Sequence, residues 1–81
     1  MALKLVATRR DGSIRKIELR EIPDDQAVDV ELAHDWLRKN IDHHGGNLVG
    51  YGNSGQPVEV PADEIVDYRA VTLAEWDTIS D

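Results

Sequence analysis

The side chains and loops of this 81-residue chain that could do chemistry fall into four groups. Gly50-Tyr51-Gly52-Asn53-Ser54-Gly55 spells G-x-G-x-x-G. In a dinucleotide site such glycines bring backbone amides and a helix N-terminus against a pyrophosphate. That geometry needs a helix directly after the motif, whereas the strand-like Gln56-Pro57-Val58-Glu59-Val60 follows here. The expected role is a hairpin loop, where glycine permits a positive φ. His34, His43 and His44 are the only imidazoles. Zinc takes three or four ligands in tetrahedral geometry. Adjacent His43 and His44 project in different directions, and His34 lies more than two helical turns earlier. They read as a polar helix end favoured by the negative pole of the dipole, with a pH-dependent contact as their other possible use. No metal and no cofactor is expected.

The third group is acidic: Asp24-Asp25, Asp63-Glu64, and Glu75 with Asp77. General acid–base work needs two carboxyl groups in different environments within one cleft. These pairs sit in polar segments, and no serine or threonine stands with a histidine and an acid in a nucleophile motif. The chain therefore reads as non-catalytic. The fourth group is basic. Arg9, Arg10, Arg15 and Lys16 flank a short turn and could grip phosphates or carboxylates through planar guanidinium forks. The plainer role for them is to keep an edge hairpin soluble. No aromatic residue accompanies them for base stacking.

The elements that must position these groups follow from pattern. Residues 3–8 and 14–19 form a β-hairpin. A two-residue Asp11-Gly12 turn would set Leu5 opposite Glu18. A three-residue loop, Arg10-Asp11-Gly12, instead pairs Leu3 with Leu19, Lys4 with Glu18 and Leu5 with Ile17. It also places Gly12 where a left-handed residue closes a type I turn. Register follows the face that must be buried, so the second is expected. A helix over residues 30–42 follows, with Asp29 as N-cap and Val28 and Ala33 as a hydrophobic staple. Val30, Ala33, Leu37 and Ile41 form its inner face, and Leu32 with Trp36 forms a flank. Gly45-Gly46 stops it.

Residues 47–60 read as a second hairpin, with Pro57 at a strand start or sheet edge. Residues 65–71 form a strand with Val66, Tyr68 and Ala70 on one face. Thr72-Leu73-Ala74-Glu75 fits a capping box opening a short helix over residues 73–79, stapled by Val71 and Trp76. That helix presents Leu73, Trp76 and Ile79. The order β-β-α-β-β-β-α makes a single α+β domain with an antiparallel sheet. Val58-Glu59-Val60-Pro61-Ala62-Asp63-Glu64-Ile65-Val66 resembles the strand, proline-led turn and last strand of SH3-like barrels. That resemblance implies a curled barrel with an inserted helix as the alternative architecture.

Composition bounds the function. There is no cysteine, so no disulfide or thiolate chemistry. No apolar run approaches the length of a signal-peptide core or a membrane span, so a cytoplasmic, soluble protein is expected. A core this small is often reinforced by a second chain, which leaves a homodimer open. The net charge of −7 is unevenly placed. Residues 1–20 carry six cations and two anions, residues 21–81 three cations and fourteen anions. Acidic balance disfavours generic nucleic-acid binding and suits a basic partner instead. In size and charge the chain resembles small acidic phage-type inhibitors of nucleic-acid enzymes, such as anti-CRISPR and anti-restriction proteins. That resemblance implies a regulator whose carboxylates dock on a basic protein. The expected contact residues are Arg9, Arg10, Arg15, Lys16, Asp24, Asp25, Glu31, Asp35, Asp63 and Glu64. A nucleic-acid module using the basic tip, and a small enzyme or ligand carrier, are the alternatives.

Overall fold

Two apolar residues on each strand decide the first hairpin. In the computed structural model, which describes residues 2–80, β1 (Leu3–Arg9) and β2 (Ile14–Leu19) pair Leu3 with Leu19, Lys4 with Glu18 and Leu5 with Ile17. This is the register expected from burial, and Leu5 and Ile17 are fully enclosed. The loop closes through Arg9 N–H to Ser13 O at 2.8 Å and Gly12 N–H to Arg9 O at 3.0 Å, with Gly12 at φ +87°. Asp11 Oδ1 accepts from both the amide and the hydroxyl of Ser13, which lowers its pKa.

The chain continues through α1 (His34–His43), β3 (Asn47–Tyr51), β4 (Pro57–Pro61), one turn of 3-10 helix (Ala62–Glu64), β5 (Ile65–Ala70) and α2 (Leu73–Thr78). The five strands form one antiparallel sheet in the order β4-β3-β2-β1-β5, an α+β domain as expected. The stretch that resembles SH3-like barrels does adopt strand, tight turn and strand. Yet β4 and β5 are the two edges, and no strand ladder joins them among the described residues. The second hairpin repeats the first one's loop. Gly52 N–H bonds Gln56 O at 2.7 Å, Gly55 N–H bonds Gly52 O at 3.1 Å, and Gly55 takes φ +77°.

One face of the sheet carries the main core. Leu3, Leu5, Ala7, Ile17 and Leu19 meet Leu48, Val58 and Val60 there, covered by Ile22, Ala27, Ala33 and Leu37. Each fully buried aliphatic side chain contributes about 1.5–3 kcal/mol. Val30 and Ile41 pack at its border, completing the helix face expected from spacing. The helix ends as Gly45-Gly46 require, with Gly46 N–H reaching back to Ile41 O at 2.9 Å.

On the opposite face Val6 and Lys16 are buried, and α2 returns there to set Trp76, itself buried, against Lys16 of β2. Thr72 Oγ1 caps α2 by accepting from Glu75 N–H at 3.1 Å, as the capping box predicts. Glu75's side chain pairs with Arg69, on β5.

Two element boundaries and three side chains differ from expectation. Regular helix starts at His34 rather than at residue 30, because Asp29 Oδ1 caps a preceding turn through Leu32 N–H at 2.7 Å. Val28 is 60% exposed and makes no staple. Val66 is 59% exposed rather than sharing a face with Tyr68 and Ala70. The cause is a bulge: Asp67 faces Thr8 and Ile65 faces Arg9, so Val66 is the extra residue. α2 ends at Thr78, and its Leu73 is 62% exposed instead of packed.

Candidate protein-docking site

The most acidic run of the chain, residues 21–35, leads into α1 without being a slack loop. Gln26 and Ala27 N–H groups both bond Pro23 O at 2.9 Å. Ala33 N–H bonds Asp29 O at 3.2 Å. Trp36 Nε1 donates to Gln26 Oε1 at 2.6 Å, fastening the run to the helix. Ile22, Ala27 and Ala33 point into the core and anchor it from beneath. What remains outside is Glu21, Asp24, Asp25, Asp29, Glu31 and Asp35, all exposed, with no Lys or Arg before Arg38. Among them stand two large apolar side chains, Val28 at 60% and Leu32 at 52% exposure. A fixed backbone thus holds apolar side chains amid carboxylates, the makings of a protein contact with a polar rim.

Beside this surface a groove of about 840 Å³ runs between α1 and the β2–β3 junction. Arg20, Trp36, Lys39, His43 and Tyr51 line much of it. Two cations lie on aromatic rings there: Arg20 over Tyr51 at 3.8 Å and Lys39 over Trp36 at 5.3 Å. Glu18 sits between Arg20 Nε at 2.7 Å and Lys4 Nζ at 3.3 Å. The hydrogen bond from Arg20, helped by Lys4, lowers its carboxyl pKa. His43 and His44 meet edge to face at 5.1 Å, and His44 Nδ1 lies 2.7 Å from Asn40 O. His34 is elsewhere on the helix, 3.8 Å from Asp35. Among the described residues no group of three or more His, Asp or Glu side chains is arranged to hold a metal ion.

The glycine motif is accounted for by packing. At Gly50 a Cβ would lie 2.5 Å from Ile17 Cγ2 and 2.6 Å from Glu18 O, so glycine lets β3 approach β2. At Gly52 a Cβ would meet the Gln56 amide, and Gly55 holds the positive φ of the loop. A strand follows the motif, as expected of a hairpin.

The basic tip needs correction. Lys16 is 2% exposed: its Nζ donates to Trp76 O at 3.0 Å and lies 5.1 Å from the Trp76 ring centre. It belongs to the second face of the sheet, not to a binding surface. Arg9 and Arg15 are half-buried, and Arg10 alone of the four is exposed. Arg10 Nε donates to Asp63 O at 2.7 Å, and its amide donates to Glu64 O at 2.9 Å. Asp63 and Glu64 therefore sit beside the tip, and the sharp division into basic and acidic parts that the sequence suggested is blurred there. Asp24, Asp25, Glu31 and Asp35 fall together on the acidic run.

Sequence reasoning missed the exposure of Val28 and Leu32, having assigned one to a staple and the other to an apolar flank. It also missed the Arg20–Tyr51 and Lys39–Trp36 pairs. The i,i+3 spacing of Trp36 and Lys39 was a usable signal for the second. Comparison with protein-family models, with curated proteins and with solved structures finds no significant match to this chain. Among the described residues no helix is long and apolar enough to cross a membrane.

Proposed function

We propose that the chain is a non-catalytic protein-binding module that docks residues 21–35 on a basic surface of another protein. The carrying observation is the coincidence of exposed Val28 and Leu32 with six carboxylates on one anchored segment. Carboxylates steer the encounter and select a cationic partner, while the two apolar side chains supply the desolvated contact that charge alone does not. Proteins that grip nucleic-acid phosphates present clustered Lys and Arg, so they are the partner class this surface fits best. Occupying such a cationic surface blocks it, which makes inhibition or regulation the expected consequence. The likeness in size and charge to small acidic phage-type inhibitors supports the same reading.

Affinity capture from a lysate of the source organism tests it, with three forms of the chain as bait. Wild type should retain a basic protein in stoichiometric amount. Val28→Ser/Leu32→Ser and Asp25→Asn/Glu31→Gln/Asp35→Asn should each lose that same protein. Its retention by both variants would overturn the assignment of the surface.

A further inference from the structure

Among the described residues β5 has a strand partner on one side only, β1, and stands at the edge of the sheet. Val71 N–H donates to Lys4 O at 3.0 Å, which fixes the alternation of the β1–β5 ladder. Arg69 and Asp67, two and four residues earlier, then turn their amide and carbonyl groups toward β1. Those of Tyr68 and Ala70 face outward, along the open edge. An edge of this kind is a template for another strand.

We infer that this edge pairs with β5 of a second copy of the chain, antiparallel about a two-fold axis at Tyr68. The charge pattern selects both the occupant and the register. Asp67 and Arg69 are exposed and share one face of β5. With Tyr68 opposite Tyr68 of the second copy, Asp67 of each copy stands opposite Arg69 of the other. These are the non-hydrogen-bonded positions, where facing side chains come closest. A shift by two residues in either direction sets Val66 or Ala70 on the axis, and a shift by one sets Asp67 against Asp67 or Arg69 against Arg69. Only the Tyr68-centred pairing matches opposite charges twice. Val66, the bulge residue, marks the end of the regular part of this pairing. The outward amide and carbonyl groups of Tyr68 meet their equivalents in the same register. Arg69 already contacts Glu75, and a second carboxylate from Asp67 of the other copy adds to that pair. The result is a ten-stranded antiparallel sheet with an isologous interface. It uses an element distinct from residues 21–35, so its success or failure is independent of the docking surface.

Sedimentation equilibrium over a wide concentration range tests the inference, with far-ultraviolet circular dichroism as the check on folding. Wild type should show reversible association to twice the monomer mass. Asp67→Arg and Arg69→Asp each place like charges opposite one another, and each alone should dimerise more than about tenfold more weakly. An equimolar mixture of the two should recover dimer mass, because the two arginines of the first variant then face the two aspartates of the second. Ala70→Pro, which removes an outward N–H without breaking a bond to β1, should also be monomeric. Monomeric wild type throughout would overturn the inference and leave Asp67 and Arg69 as guards of the edge. Dimerisation of the charge variants as tight as wild type would overturn it too, by placing any association elsewhere.

Discussion

The side-chain amide of Asn40 satisfies both backbone groups of Val49. Its Nδ2 donates to Val49 O at 2.9 Å, and its Oδ1 accepts from Val49 N–H at 2.9 Å. A neighbouring strand would supply these two bonds. β2 and β3 register at Glu18 and Tyr51, and Asn40 takes the next place in the ladder from α1. A helix side chain therefore completes a sheet.

Removing Asn40 leaves a part-buried amide and carbonyl without partners, which costs about 1–3 kcal/mol. Asn40→Ala should lower the melting temperature by roughly 4–8 °C per kcal/mol lost in a domain of this size. Asn40→Asp keeps the acceptor but opposes a carboxylate to Val49 O, and should be no better. Thermal and urea unfolding of the three proteins measure this directly.

Gly50 has no room for a side chain against Ile17 and Glu18. Gly50→Ala must separate β3 from β2, at a cost of about 1–3 kcal/mol. Gly55→Asn should cost much less, because asparagine tolerates the left-handed region and the nearest atom to a Cβ there, Arg20 Nη2, is 3.8 Å away. Equal losses at both positions, measured by urea unfolding, would contradict the packing account of the motif.

Lys16 and Trp76 hold α2 to the sheet. Lys16→Ala removes a buried donor and a ring contact, and should loosen α2 without unfolding the hairpins. In an amide correlation spectrum, the Trp76 indole signal should move and broaden while that of Trp36, bonded to Gln26, stays in place. Movement of both indoles by similar amounts would place Lys16 in the main core instead.

Glu18 gives stability a dependence on acid. Its folded pKa is lowered from the ordinary value of 4.5 by Arg20 and then Lys4. The folded state then binds fewer protons than the unfolded state between the two pKa values, so stability rises with pH there. The contribution is fully present above the unfolded pKa and disappears as pH falls through the folded one. Glu18→Gln should flatten this part of the profile of urea midpoint against pH. An unchanged slope would assign the dependence to other carboxylates.

The first hairpin was legible because Leu3, Leu5, Ile17 and Leu19 leave one register that buries all four. The second was legible from Gly55 and Pro57. The start of α1 was not, since Asp29 bonds Leu32 N–H in an isolated turn much as it would in a helix. Lys16 was misplaced for a related reason. Alternation assigns it to the face away from the main core, and nothing local says that α2 returns to cover that face. Val6, apolar on the same face, and Trp76 in a capped helix were the available hints. The acidic surface was legible as charge, but its exposed Val28 and Leu32 emerged only once the buried Ile22, Ala27 and Ala33 fixed the path of the chain.

The two matching hairpin loops also bear on the order of assembly. Each closes over three residues, so β1–β2 and β3–β4 can form early and locally. β5 must instead find β1 across some sixty residues, pairing Ala70 with Leu5. On a ribosome, β1 emerges well before the strand that becomes its second neighbour. Until then its outer edge stands open, and on β2 Lys16 waits for the tryptophan carbonyl that takes its ammonium group.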